Sequence, residues 1–275
     1  MSETTAQPAT PPTPAPRLFT EAELETFRGR LGDRGIDPRQ VLGTNELGDD
    51  VSVASFYGML GRIAATEKAG QGPTFAMARL ALKAGLPNEI ADTLFLAYNQ
   101  QSAEEAGHGD KVFGNAYYAL GGHAPAAEQS AVGNGTGPNP DFLRASDDPK
   151  RNKQLLAGIA GVLGGIETVA LNRVFPFVVT LGERWDHPIA RDLLAQIRDT
   201  VRPEESRHVL NWRYVFHHMV APKGDAVVDG FLGATNSGRR MLGSPEFDRE
   251  TIMRMLGTSA PTPRQLLGKD RSALI

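Results

Sequence analysis

The chain reads as an all-α protein, a four-helix bundle with one long crossover and extra C-terminal helices. Three observations predict this. Strand-like alternation is sparse, while residues 50–220 carry long helical patterns. A stretch rich in Gly, Pro, Asn and Asp, residues 122–149, divides that span into two halves. Each half holds two helical patterns, and helix–helix, long linker, helix–helix is the order of a bundle with one crossover connection.

Residues 1–20 are rich in Pro and Thr, contain no apolar run, and read as a disordered tail rather than a signal peptide or membrane anchor. The first helix starts near Asp49, and the "GQGP" break leaves open whether it continues through "TFAMARLALKAG". The second starts at Pro87, where a first helical turn tolerates proline, and stops at Gly121-Gly122. The third covers about 150–182 and the fourth about Asp186 to Val220. Pro176 and Pro203 should kink these two helices or open a local irregularity. Shorter helices fit 225–257, and 258–275 reads as an extended tail, so the domain spans 21–257 with its core at 50–220.

Composition narrows the function. The 275 residues are 40% hydrophobic, enough for a sizeable core. With 29 basic and 32 acidic residues, a net charge of −3 gives no reason to expect nucleic acid or an anionic membrane as partner. The absence of cysteine excludes disulfides, thiolate metal sites and cysteine nucleophiles, and fits a cytoplasmic protein. No stretch offers about 18 uninterrupted apolar residues.

The chemistry lies in a repeat. "EEAGHGD" (104–110) and "EESRHVL" (204–210) each carry Glu-x-x-His. That spacing puts Glu105 with His108, and Glu205 with His208, on one helix face, close enough to share a metal ion. A two-metal site needs one more carboxylate from each remaining helix. Glu67 and Glu167 stand in small or apolar surroundings, where a lone carboxylate costs too much to bury without a counter-charge. Glu67 to Glu105 is 38 residues, and so is Glu167 to Glu205. Every proposed ligand in the first half therefore recurs in the second, as two facing helical hairpins require. Four carboxylates and two imidazoles suit two iron ions, with manganese or a mixed pair as the alternative, and argue against copper and structural zinc.

This constellation resembles the ferritin-like di-iron carboxylate superfamily, over about residues 50–220. It looks most like the oxygen-activating branch: bacterial multicomponent monooxygenases, acyl-carrier-protein desaturases, the small subunit of class I ribonucleotide reductase and related oxidases. The resemblance implies Glu67, Glu105 and His108 as the first-half ligands and Glu167, Glu205 and His208 as the second. It also implies outer roles for Glu104 and Glu204, each orienting a ligand imidazole, and for Arg207, pairing with a neighbouring acid. Gly107 replaces that arginine in the first motif.

Departures from the family sort its members. Val112 and Phe113 stand where the reductase subunit keeps a radical tyrosine. Gly70 and Val162 cannot form the Val–Tyr link of the ligand-binding oxidases. Val201 replaces the third histidine of the arylamine N-oxygenases, and Ala170 and Leu171 the relay threonine of monooxygenases and desaturases. The resemblance thus implies an O2-activating non-haem di-iron oxygenase or oxidase that hydroxylates or N-oxygenates a small or medium organic substrate, served by an external electron donor. A desaturase or aldehyde-cleaving oxygenase of the same superfamily is the alternative, and an iron store or sensor the third reading. A homodimer stays open. Ala64, Gly70, Gly164 and Ala170 either leave room beside the metals or let helices approach closely. Arg62, Arg173 and Arg202 flank the ligands, either as carboxylate clamps or as structural or solvent-facing groups.

Overall fold

The computed structural model describes residues 53–119, 143–183 and 188–269. The N-terminal tail and residues 120–142 of the expected crossover lie outside them. The described residues are all-helical, without a strand. The helices are α1 (Val53–Lys83), α2 (Asn88–Gly107), α3 (Gly114–Ala119), α4 (Pro149–Val169), α5 (Phe175–Gly182), α6 (Pro188–Gln196), α7 (Arg202–Val215), α8 (Asp225–Met241), α9 (Arg249–Leu256) and α10 (Pro263–Leu266).

Several of these run on through wider, π-helical turns. His108–Phe113 joins α2 to α3, Ala170–Val174 joins α4 to α5, Ile197–Val201 joins α6 to α7, and Phe216–Val220 extends α7. Three of the four turns end two residues before a proline: Pro176, Pro203 and Pro222. Proline lacks the N–H for an i→i−4 bond and its ring crowds that carbonyl. The residue before it instead donates five residues back, Phe175 to Ala170 and Arg202 to Ile197. The irregularities expected at Pro176 and Pro203 are thus widened turns, a form common at functional sites. Pro73, by contrast, sits inside an unbroken α1, which settles the "GQGP" question. There the Thr74 hydroxyl donates to the Gly70 and Gln71 carbonyls and Ser102 of α2 donates to Gln71 as well.

Four rods result, and each packs on two neighbours in a ring: α1 on α2, α2 on α7, α7 on α4, α4 on α1. Gly85, at φ +60°, ends α1 and starts the tight return into α2. Asp148 caps α4 by accepting from the Lys150 N–H at 2.9 Å, with Pro149 in the first turn. Buried Asn152 donates to the Lys83 carbonyl and so ties the start of α4 to the end of α1.

Two apolar clusters fill the ring, one at each end. The first joins Leu60 and Ile63 to Phe113, Phe175, Ile197 and Val201. The second joins Met77, Leu94, Leu156, Trp212 and Phe216 to the C-terminal helices through Phe231, Ile252 and Leu266. The memberships show that α1 runs antiparallel to α2 and α4. Between the clusters lies a layer of buried polar side chains.

The stretch Pro149–Val174 is long and apolar enough to cross a membrane by length and composition alone. Its apolar character has a local cause: α4 packs against α1, α7 and α8. The close contacts explain its glycines. A Cβ on Gly165 would sit 2.0 Å from the Thr235 carbonyl oxygen, one on Gly238 2.0 Å from that of Val162, and one on Gly164 2.2 Å from the Trp212 ring.

The expectation of an extended tail after 257 is corrected. Thr262 and Gln265 form a reciprocal capping box, Pro263–Leu266 makes one helical turn, and buried Leu266 joins the second core. An apolar side chain and a satisfied cap supply what a tail lacks.

Gly165→Ala should destabilise the fold by about 2–3 kcal/mol, because backbone rather than a flexible side chain blocks the added methyl. Urea denaturation followed by circular dichroism measures this; Gly158→Ala, whose Cβ meets nothing within 4 Å, is the matched control.

Candidate metal centre

The polar layer holds all six expected ligands. Glu67 comes from α1, Glu105 from α2, His108 from the turn that follows it, Glu167 from α4, and Glu205 and His208 from α7; all are buried. Their donor atoms form two groups, Glu67–His108–Glu205 and Glu105–Glu167–His208, each within 4.8 Å. Either group could hold a metal ion. The grouping crosses the two halves. Glu205 groups with the first-half histidine and Glu105 with the second-half histidine.

Glu205 is the centre of the arrangement. Its Oε1 lies 2.9 Å from His108 Nδ1 and its Oε2 2.9 Å from His208 Nδ1. His108 Nδ1 is also 3.3 Å from Glu67 Oε2. His208 Nδ1 is 3.5 Å from Glu105 Oε1 and from Glu167 Oε1. Both imidazoles thus turn Nδ1 towards the carboxylates.

Their outer nitrogens cross between halves. His108 Nε2 lies 2.7 Å from Glu204 Oε2, and His208 Nε2 lies 3.0 Å from Glu104 Oε2. An Nε2 proton donated to each acid leaves the Nδ1 lone pair for a metal. Arg207 pairs with Glu104 and stands 3.8 Å from Glu204. One arginine therefore serves both acids, so Gly107 leaves no gap in the design. Opposite Gly107, a Cβ would meet nothing within 4 Å.

The site calls for positive charge. Burial, then the charge of Glu205, push the Glu67, Glu105 and Glu167 carboxyls above the usual range. Burial opposes the charge of Glu205 too, but the two imidazoles hold its carboxyl well below that range. Burial likewise opposes protonation of His108, yet its contacts with Glu204, Glu205 and Glu67 push it up to about 12. Protons are drawn to groups that ordinarily carry none at neutral pH. Glu205 Oε1, in a residue 1% exposed, contacts His108 Nδ1 at 2.9 Å without hydrogen-bond geometry. A buried carboxylate facing two imidazole nitrogens fits a metal ligand, as does a donor set of carboxylates and imidazoles.

Two residues escaped the sequence reading. Gln101 donates from Nε2 to Glu167 Oε1 at 2.9 Å and to Glu105 Oε1 at 3.2 Å, and accepts from Asn211 at 3.1 Å. Gln100 donates to Glu104 at 2.8 Å. The signal was present: Gln100-Gln101 stands one helical turn before Glu104-Glu105, on the same face.

A cavity of about 290 Å³ adjoins the site, between α1, α4 and the end of α8. Glu67, Glu105 and Glu167 face it; neither ligand histidine does. The small positions divide. Gly70 and Ala170 line the cavity. Gly164 instead admits Trp212, and the Ala64 carbonyl lies against Gly109. Arg62 and Arg173 line the cavity, whereas exposed Arg202 does not. Tyr98 belongs to the apolar core. His217 bonds the Leu256 carbonyl and His218 packs on Tyr214, both away from the ligands.

Comparison with family models, curated proteins and solved structures returns no match for the chain.

Glu204→Gln should weaken divalent-metal binding about 10–100-fold, because a neutral acceptor holds the His108 Nε2 proton less firmly. Competition against a fluorescent chelator measures the loss; unchanged affinity would remove Glu204 from the centre.

Proposed function

We propose that the chain is an O2-activating non-haem di-iron oxygenase or oxidase on a ferritin-like four-helix bundle, acting on a small or medium organic substrate by hydroxylation or N-oxygenation. One observation carries this reading: two buried Glu–Glu–His groups lie side by side, and three of their carboxylates face a largely apolar cavity. Iron storage does not call for an apolar chamber on the ligands.

Glu67, Glu205 and His108 would hold one ion, and Glu105, Glu167 and His208 the other. When bound, the iron pair supplies the electrons and oxygen chemistry that no side chain here can provide. The chain's residues do the rest. Glu104 and Glu204 keep each imidazole's proton on Nε2. Gln101 holds one oxygen each of Glu105 and Glu167 and so helps fix both carboxyls. Gly70 keeps space open beside Glu105: a Cβ there would lie 3.0 Å from Glu105 Oε2. Ile63, Leu163, Ile166 and Val169 form an apolar wall that holds substrate and excludes water. Hydroxylation puts one oxygen atom into the substrate and the other into water, and an external donor supplies the balancing electrons.

Anaerobic Fe(II) titration should saturate at about two ions per chain, one for each ligand group, and the reduced protein should then consume O2. Glu205→Ala should abolish the paired site, since Glu205 contacts both histidines. No uptake of iron, or accumulation of many ions per chain, would overturn the reading.

A further inference from the structure

The charges around the cavity indicate what enters it. Four glutamates form the centre, and two divalent ions, when bound, would balance them. The cavity's remaining charged lining is then cationic: Arg62 and Arg173. Arg62 carries contacts of its own. Arg173 is half-buried on the turn after α4 and has no hydrogen bond or ion pair among the described residues.

Behind it lies a second cation. Arg239 is 2% exposed and is held by neutral groups alone among the described residues: it donates to the Pro245 carbonyl, Thr168 Oγ1 and Ser244 Oγ, and stacks on the Phe247 ring. Ser244 is itself part of the cavity lining. Burial, then the nearby charge of Arg173, lower the Arg239 guanidinium to about 10. Arg239 thus sits behind Ser244 of the lining, within reach of the Arg173 charge, and neither guanidinium bonds an acid among the described residues; an anion supplied from outside stabilises such a pair.

We propose that the cavity takes a medium-sized organic carboxylate, with its carboxylate on Arg173 and its apolar body along Ile63, Leu163 and Ile166 towards Glu67, Glu105 and Glu167. The planar guanidinium matches one carboxylate through two parallel hydrogen bonds. Arg173 follows Glu167 by six residues on the same rod, about 9 Å along a helix. The anionic end is thereby held away from the metals, and a carbon or nitrogen further along the molecule is presented to them. This inference rests on the two-metal reading, because only metal-balanced glutamates leave the cavity net positive.

The test uses the ferrous-loaded protein kept free of oxygen, with metal content read on every sample. Calorimetric titration compares octanoate with octanamide, its neutral counterpart, and with acetate, which lacks the apolar body. Octanoate should bind roughly tenfold or more tighter than octanamide, and tighter than acetate. Arg173→Gln should erase the preference for octanoate over octanamide, and Arg173→Lys should restore part of it. Equal binding of octanoate and octanamide, or no binding of either, overturns the inference. So does a preference that survives in Arg173→Gln, which would put the carboxylate on the metals instead. Fewer than two ions per chain would overturn the metal reading, and this inference with it.

Discussion

Four glutamates buried in one layer repel one another, and the polar groups around them answer that repulsion. Glu205 lies at the centre with an imidazole on either side. Glu67, Glu105 and Glu167 surround it, and apolar clusters close both ends of the layer. In such surroundings an isolated carboxylate is costly, and hydrogen bonds offset only part of that cost. The arrangement makes physical sense as a receptacle for cations. The outer shell agrees: Arg207 balances Glu104 and Glu204, not the ligands, so it does not compete with a metal for them.

The crossing of the histidine bonds joins the site to the fold. Had each histidine bonded an acid of its own hairpin, α1–α2 and α4–α7 could each carry half a site independently. Instead His108 reaches Glu204 and His208 reaches Glu104, so neither imidazole is oriented until α2 and α7 are docked. The same contact brings Asn211 to Gln101. Metal affinity and the docking of the two halves are therefore linked: ions that bind the assembled site stabilise the assembled rods.

Much of this was legible in the residues because helical periodicity and ligand spacing are both local. Glu-x-x-His states its own geometry once it is on a helix, and the 38-residue interval in each half states that the hairpins match. What escaped was non-local. Which Glu groups with which His depends on how α2 and α7 lean together, and no spacing within either helix encodes it. Gly164 and Gly70 are the same residue type one turn from a ligand, yet one receives a tryptophan ring and the other borders a cavity; only the neighbour across the interface separates them. Gln101 was readable and overlooked, since an amide one turn before a buried carboxylate is a natural donor to it. The C-terminal turn was missed because four helical residues leave almost no periodic signal.

That C-terminal turn bears on how the site is reached. Gly268, at φ +66°, passes so close to Arg207 that a Cβ there would lie 3.3 Å from its Cδ. Leu266 anchors the segment in the core beside α7. The face of the centre that carries Arg207 is therefore covered. On the opposite side, α1 and α4 flank the cavity, and the carboxylates of Glu67, Glu105 and Glu167 look into it. The cavity thus lies on the carboxylate side of the centre. The nitrogen ligands and their hydrogen-bond partners lie on the closed side, where their geometry is fixed. The carboxylates of Glu67, Glu105 and Glu167 lie on the side of the cavity. Gly107 completes the asymmetry: with one arginine serving both outer acids, the first motif needs no copy of it, and α2 keeps a bare backbone at that point.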